Sequence, residues 1–188
     1  MSGQGFGDRL DLSMANILIV YSTTDGHTQR ICERIKRVVE KENHKIVLAV
    51  INDEPDLDPE AFDKIVIGAS IRYGKHRPVL YDFIRKNQAK LESMPNAFFS
   101  VNVVARKPEK NQPESNPYLQ KFLKRASWQP QKMAVFAGKI NYPIYTFWDR
   151  QIIRLIMWMT GGPTDPKAVV DFTDWNKVDD FGRLIAEM

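Results

Sequence analysis

The sequence predicts an α/β fold built as a doubly wound, five-stranded parallel sheet, and three observations carry that prediction. Short apolar runs alternate along the chain with segments of helical amphipathic period, the pattern of strands joined by crossover helices. The first apolar run ends in small hydroxylated residues and a glycine immediately before a helical segment. A length of 188 residues with 43 % hydrophobic content suits one domain with a single sizeable core.

Each element follows from its own residues. Asn16–Tyr21 is an apolar run of the kind that forms a buried parallel strand. From Thr28 onward Ile31, Ile35, Val38 and Val39 recur at helical spacing, with Glu33, Lys36, Arg37 and Glu40 on the other side. Ile46–Ile51 predicts the second strand, Pro59–Phe62 a short helical turn, and Asp63–Ala69 the third strand. Val79–Leu91 predicts a helix with Leu80, Phe83 and Ile84 inward, and Ala97–Val104 the fourth strand. A polar stretch with three prolines leads into a short helix at Tyr118–Arg125, and Lys132–Ala137 begins the fifth strand. The pattern then breaks: Asn141–Pro166 carries five aromatics and a hydrophobic helix before Ala168–Phe172 resumes as a strand and Trp175–Met188 closes as a helix. The expected domain is therefore 14–188 with an insertion at about 141–167, and residues 1–13 are expected to be a leader outside it, added for expression or disordered.

Composition narrows the function classes. The 27 Lys and Arg against 23 Asp and Glu give a net charge of +4, compatible with anionic ligands or lipid. The basic residues are scattered and no basic groove lined by aromatics is evident, so nucleic acid is not an expected partner. Cys32 is the sole cysteine, which excludes an internal disulfide, points to a reducing compartment and is read as packing. His27, His44 and His76 show no ligand spacing, so no metal is expected. No run reaches the roughly 20 apolar residues that span a bilayer, although contact with a membrane surface stays open.

The junction between the first strand and first helix is the most specific local feature. Hydroxyls of Ser22, Thr23, Thr24 and Thr28 surround Gly26 at a helix start, where free backbone N–H groups and the helix dipole favour a phosphate. Asp25 is expected to shape and cap the turn, and His27 to face solvent because the backbone already supplies donors. The segment Ile19–Thr28 resembles the flavodoxin phosphate-loop signature: two apolar residues, an aromatic, any residue, Ser/Thr, two free positions, Gly, one free position, Thr. It lacks the glycine pattern of a dinucleotide site and the Gly-Lys-Ser/Thr ending of an ATP loop. The resemblance implies a flavodoxin-like sheet with FMN at its C-terminal edge, beside the switch point. Two more loops end at that edge, Ser70-Ile71-Arg72-Tyr73-Gly74 and Asn102-Val103-Val104-Ala105, and both are expected to border the isoalloxazine, Tyr73 with an aromatic face.

Four separated blocks carry a closer resemblance. Ser22–Gly26, Ile67–Gly74, Ser100–Lys110 and the inserted segment with Tyr142-Pro143, Trp148-Asp149-Arg150, Leu155-Ile156-Met157 and Thr173-Asp174-Trp175 resemble the quinone-dependent protoporphyrinogen IX dehydrogenase family of bacterial haem biosynthesis, from about Met14 to Met188. That resemblance implies FMN-dependent oxidation of protoporphyrinogen IX to protoporphyrin IX, with menaquinone or ubiquinone as acceptor. It also implies a peripheral place at the cytoplasmic face of the inner membrane, near respiratory components, with a cytoplasmic fraction. The flavin carries the chemistry, and no side chain is assigned as catalytic. Arg72, Lys75 and Arg77, and after the next strand Arg106, Lys107 and Lys110, form basic clusters suited to the substrate's propionates, with Arg72 and Arg106 favoured.

In the insert, Trp148, Ile152, Ile153, Leu155, Ile156, Met157 and Met159 cover a broad arc, opposite Arg150, Gln151 and Arg154, as in an interfacial helix. The alternatives are packing of that arc on the domain, an electron-transfer flavodoxin, and an NAD(P)H:quinone reductase of the same fold. A homo-oligomer is compatible with all of them.

Overall fold

A computed structural model describes residues 14–51 and 61–188. The elements are β1 Asn16–Ser22, α1 His27–Glu40, β2 Lys45–Val50, β3 Lys64–Ser70, α2 Pro78–Lys86, α3 Gln88–Ser93, β4 Asn96–Val101, α4 Pro117–Arg125, β5 Lys132–Phe136, β6 Lys139–Asn141, α5 Phe147–Met159, β7 Val169–Asp171 and α6 Trp175–Glu187. Strands β2-β1-β3-β4-β5 form one parallel sheet in that order. The chain steps from β1 outward to β2 and back across to β3, which opens a crevice at the strands' C-terminal ends.

Alternation along the strands sorts the core into two layers. Ile17, Ile19 and Tyr21 pack with Ile31, Ile35 and Val39 of α1 and Val178, Phe181 and Ile185 of α6. Leu18 and Val20 face the other way, with Leu80, Phe83 and Ile84 of α2 and Leu119 and Phe122 of α4. Burial on both faces is why these strands are continuously apolar.

Three expectations need adjustment. The helix expected over Val79–Leu91 is two helices, because Asn87 leaves helical geometry and its Nδ2 donates to Phe83 O at 2.9 Å. The fourth strand stops at Val101, and Val103–Arg106 is a 3-10 turn capped by Asn102, whose Oδ1 accepts from Ala105 N at 3.0 Å. Ala168–Phe172 does not return to the main sheet: β7 pairs antiparallel with β6, Ile140 opposite Val170, in a separate ribbon at the base of the insert. The turn expected at Pro59–Phe62 falls partly, and the leader at 1–13 wholly, outside the described residues.

Candidate functional site

The phosphate-loop segment leaves β1 at Ser22 and enters α1 through Gly26, whose φ of 76° is a left-handed conformation open to glycine. A cluster of buried side-chain atoms around it has no hydrogen-bond partner among the described residues: Ser22 Oγ, Thr23 Oγ1, Thr28 Oγ1, His27 Nδ1 and, across the crevice, Ser70 Oγ. Leaving such groups unpaired costs about 1–3 kcal/mol each. Hydroxyls gathered at the N-terminus of a 14-residue helix suit a bound phosphate, so the donor set fits the phosphate end of a flavin mononucleotide.

His27 does not face solvent as expected; it is buried. Its Nε2 lies 2.7 Å from Thr173 Oγ1, and Thr173 in turn donates to Ala137 O at 2.9 Å, so the imidazole is the donor to Thr173. Burial lowers its pKa, and Asp171, 3.7 Å away, opposes that shift. Trp175 packs edge-on at 6.0 Å, and Asp174 caps α6 by accepting from Asn176 N and Lys177 N. The Thr173-Asp174-Trp175 block therefore supports the loop from behind.

The second loop is a hairpin tip. Arg72 and Lys75 exchange backbone hydrogen bonds at 2.9 and 3.1 Å around Tyr73 and Gly74, both at positive φ, as a type I′ turn requires. Asp25 makes no helix cap; its carboxylate accepts from Arg72 Nη1 at 3.0 and 2.9 Å. Arg72 Nη2 donates to Asp149 Oδ2 at 2.9 Å, and the Tyr73 hydroxyl donates to Asp149 Oδ1. One guanidinium thus joins the loop after β1 to the first turn of α5.

The third loop rests on a buried polar network. Asn102 and Asn116 exchange side-chain amide bonds at 3.3 and 3.2 Å, and Asn116 also caps α4. His76 Nε2 lies 3.1 Å from Ser100 Oγ, and burial pushes its pKa down to about 4, so the ring is neutral. Sequence reading missed both His76 and Asn116, although Asn116 before Pro117 is a recognisable helix start.

An apolar pocket lies between these loops and α5, with walls of Val103, Ile140, Tyr145, Ile153 and Met157. Its cations are Arg72 and Lys139, while Arg106, Lys107 and Lys110 do not line it. Arg106 instead donates through Nη2 to Thr160 O at 2.9 Å and through Nη1 to Val103 O at 3.1 Å, holding the C-terminal end of α5. Lys139 belongs to no basic cluster in the sequence, so no local signal marked it.

Helix α5 has its polar side inward. Arg154 Nε donates to Thr164 O at 2.8 Å and Arg150 Nη2 to Tyr145 O at 3.2 Å, and Met157 is buried. Phe147, Trp148, Ile152, Leu155, Ile156, Trp158 and Met159 are exposed, the two tryptophans at 74 % each. The apolar arc therefore does not pack on the domain, apart from Ile153 and Met157. Among the described residues no helix is long and apolar enough to cross a membrane.

A flavodoxin-domain family model matches residues 18–167. Protoporphyrinogen IX dehydrogenase (quinone) of Escherichia coli (strain K12) is 43 % identical over 171 residues, covering 91 % of this chain and 94 % of that protein. The protein of the same name from Leishmania major is 42 % identical over 172 residues, covering 91 % and 74 %. Among solved structures, oxidised flavodoxin 1 from Bacillus cereus aligns with a TM-score of 0.52 at 15 % identity, over 92 % of this chain and 97 % of that one, a likeness of fold.

Proposed function

We propose, from the fact that this chain belongs to the flavodoxin-domain family and to its quinone-dependent protoporphyrinogen IX dehydrogenases, that it oxidises protoporphyrinogen IX to protoporphyrin IX with FMN as cofactor and a respiratory quinone as acceptor. The observation that carries this reading is one sheet edge holding both a cradle of unpaired hydroxyls and an apolar pocket with two cations.

Bound FMN supplies the two-electron redox chemistry. Ser22, Thr23, Thr24 and Thr28 would hold its phosphate through their hydroxyls, Gly26 and His27 through backbone N–H groups, and Asp25 anchors Arg72 at the same edge. Ser70–Gly74 and Asn102–Ala105 border the ring system, with the Asn102–Asn116 pair fixing the second of these loops. On the α5 side of the pocket Ile140, Ile153 and Met157 would form an apolar bed for the tetrapyrrole, and Arg72 and Lys139 would meet its propionates. Lys107 and Lys110 lie further out as a basic rim, while Arg106 secures α5. Among the described residues the single carboxylate lining the pocket is Asp25, ion-paired with Arg72, so catalysis rests on positioning and exclusion of water more than on a dedicated side-chain base.

The exposed arc of α5 supports a peripheral position at the cytoplasmic face of the inner membrane, where menaquinone or ubiquinone reaches the same edge. The decisive experiment is anaerobic: protoporphyrinogen IX is added to the FMN-loaded protein and the flavin absorbance followed, then menaquinone and ubiquinone analogues are added. Bleaching by the tetrapyrrole, recovery with a quinone and no bleaching by NADPH are expected. Bleaching by NADPH alone, or none by protoporphyrinogen, would replace this reading with a quinone reductase or an electron-transfer flavodoxin.

A further inference from the structure

Asp149 sits in a complete carboxylate-binding site. Its Oδ2 accepts from Arg72 Nη2 at 2.9 Å and its Oδ1 accepts from the Tyr73 hydroxyl, so a guanidinium N–H and a phenol O–H each take one oxygen. Both donors come from the tip of one hairpin, where Tyr73 is held at a φ of 50°. Arg72 also lines the apolar pocket, as does Tyr73.

Nothing in the fold requires Asp149 to be the carboxylate there. Asp25 alone neutralises Arg72, contacting Nη1 with both oxygens, so two carboxylates share one guanidinium. The start of α5 does not depend on the Asp149 side chain either, because Thr146 Oγ1 accepts from Asp149 N. Among the described residues, Asp149 is the one residue of 147–153 whose side chain hydrogen-bonds outside the insert. Both partners are partly open to solvent, Arg72 at 21 % and Asp149 at 24 % of the side chain, so the pair can exchange.

We propose that Asp149 is an internal occupant of a substrate carboxylate subsite: a carboxylate of the ring substrate displaces it from Arg72 and Tyr73, and the first turn of α5 is thereby released from the pocket mouth. The exchange conserves charge, one carboxylate leaving as another enters, and so selects acids over neutral ring compounds of the same shape. This rests on the tetrapyrrole reading of the pocket and adds to it the identity of the competing group.

The test uses the FMN-loaded protein with protoporphyrin IX and its dimethyl ester as ligands, measuring Kd by fluorescence quenching. Asp149→Asn removes the internal competitor's charge and is expected to tighten the diacid by about fivefold while leaving the diester unchanged. Added to Asp149→Asn, Tyr73→Phe removes a donor that the substrate carboxylate alone then uses and is expected to weaken the diacid only, while the amide exchange of the unmodified protein keeps the test informative if Asp149→Asn disturbs the helix. Amide exchange over residues 146–150 should rise when the diacid binds and stay flat with the diester. Equal shifts for both ligands in either variant, or diacid binding weakened by Asp149→Asn, overturn the exchange while leaving the tetrapyrrole reading intact. Failure of both ligands to bind the unmodified protein overturns the two together.

Discussion

Arg106 Nη2 donates to Thr160 O at 2.9 Å, a contact across 54 positions that ties the 3-10 turn after β4 to the C-terminal end of α5. The same nitrogen reaches Thr160 Oγ1 at 3.1 Å, and the guanidinium lies 5.8 Å from the Phe172 ring centroid. Burial lowers the Arg106 pKa from its ordinary value, which leaves the cation with carbonyl and hydroxyl partners in place of water. Replacing Arg106 with Ala should cost about 1–3 kcal/mol in urea unfolding, because Thr160 O and Val103 O lose a charged donor. Amide exchange in Phe147–Met159 should rise more than in the main sheet. Lysine should not rescue, since one ammonium cannot span both carbonyls as a planar guanidinium does.

Thr28 makes opposite demands on the empty and loaded protein. Its Oγ1 is buried without a partner among the described residues. Thr28→Val keeps the shape and removes the unsatisfied hydroxyl, so the FMN-free protein should gain up to about 1 kcal/mol in urea unfolding. FMN should bind about tenfold more weakly in a fluorescence titration, for loss of one donor to its phosphate. A loss on both measurements would make Thr28 a plain core residue.

What the sequence reveals about this molecule follows the range over which its contacts act. The β1–loop–α1 junction was legible because apolar period, hydroxyls and Gly26 lie within a dozen residues. His27 was misjudged because its partner, Thr173, is 146 positions away, and an imidazole beside a phosphate loop carries no local sign of burial. Arg72 and Arg106 stood out as basic residues in loops, yet their partners lie 77 and 54 positions distant in the insert, so their fastening of α5 was invisible. Val103 and Val104 extended the strand pattern by β-branching alone, and the Asn102 side chain overrode it with a cap. The Thr160-Gly161-Gly162 stop of α5, with Gly161 at a φ of 70°, is a local signal that the reading of the sequence did not use.

His76 should make the protein acid-sensitive. Its folded pKa is about 4 against 6.5 when unfolded, because burial disfavours the charged ring. Above pH 6.5 both states are neutral and the residue adds no pH dependence; as pH falls from 6.5 to 4 the unfolded chain takes up a proton that the folded chain refuses. Stability should therefore drop across that window, by about 3 kcal/mol from this residue. His27 and His44, also lowered by burial, act in the same direction. The His76 share is isolated by comparing urea unfolding of His76→Gln with the unmodified protein at pH 7 and pH 4.5: the variant's loss should be smaller, and parallel curves would refute the assignment.

Trp148 and Trp158 give the cleanest test of membrane contact, because each is 74 % exposed and neither supports the satellite core of Ile140, Tyr142, Tyr145 and Met157. Ile153 and Ile156 are poorer choices: both line the pocket, and Ile153 also packs against that core. An interfacial helix binds through its buried apolar area, and tryptophan is favoured at the headgroup level. Trp148→Ser with Trp158→Ser should leave urea unfolding within about 0.5 kcal/mol of the unmodified protein, as expected for surface positions. The same double variant should lower co-sedimentation with vesicles containing anionic lipid by about tenfold or more, since each tryptophan removes a large apolar surface from the interface. If the unmodified protein stays in the supernatant and sediments in the ultracentrifuge as a dimer that the double variant dissociates, the arc of α5 is covered by a second copy of the chain, and quinone must reach the pocket by another route.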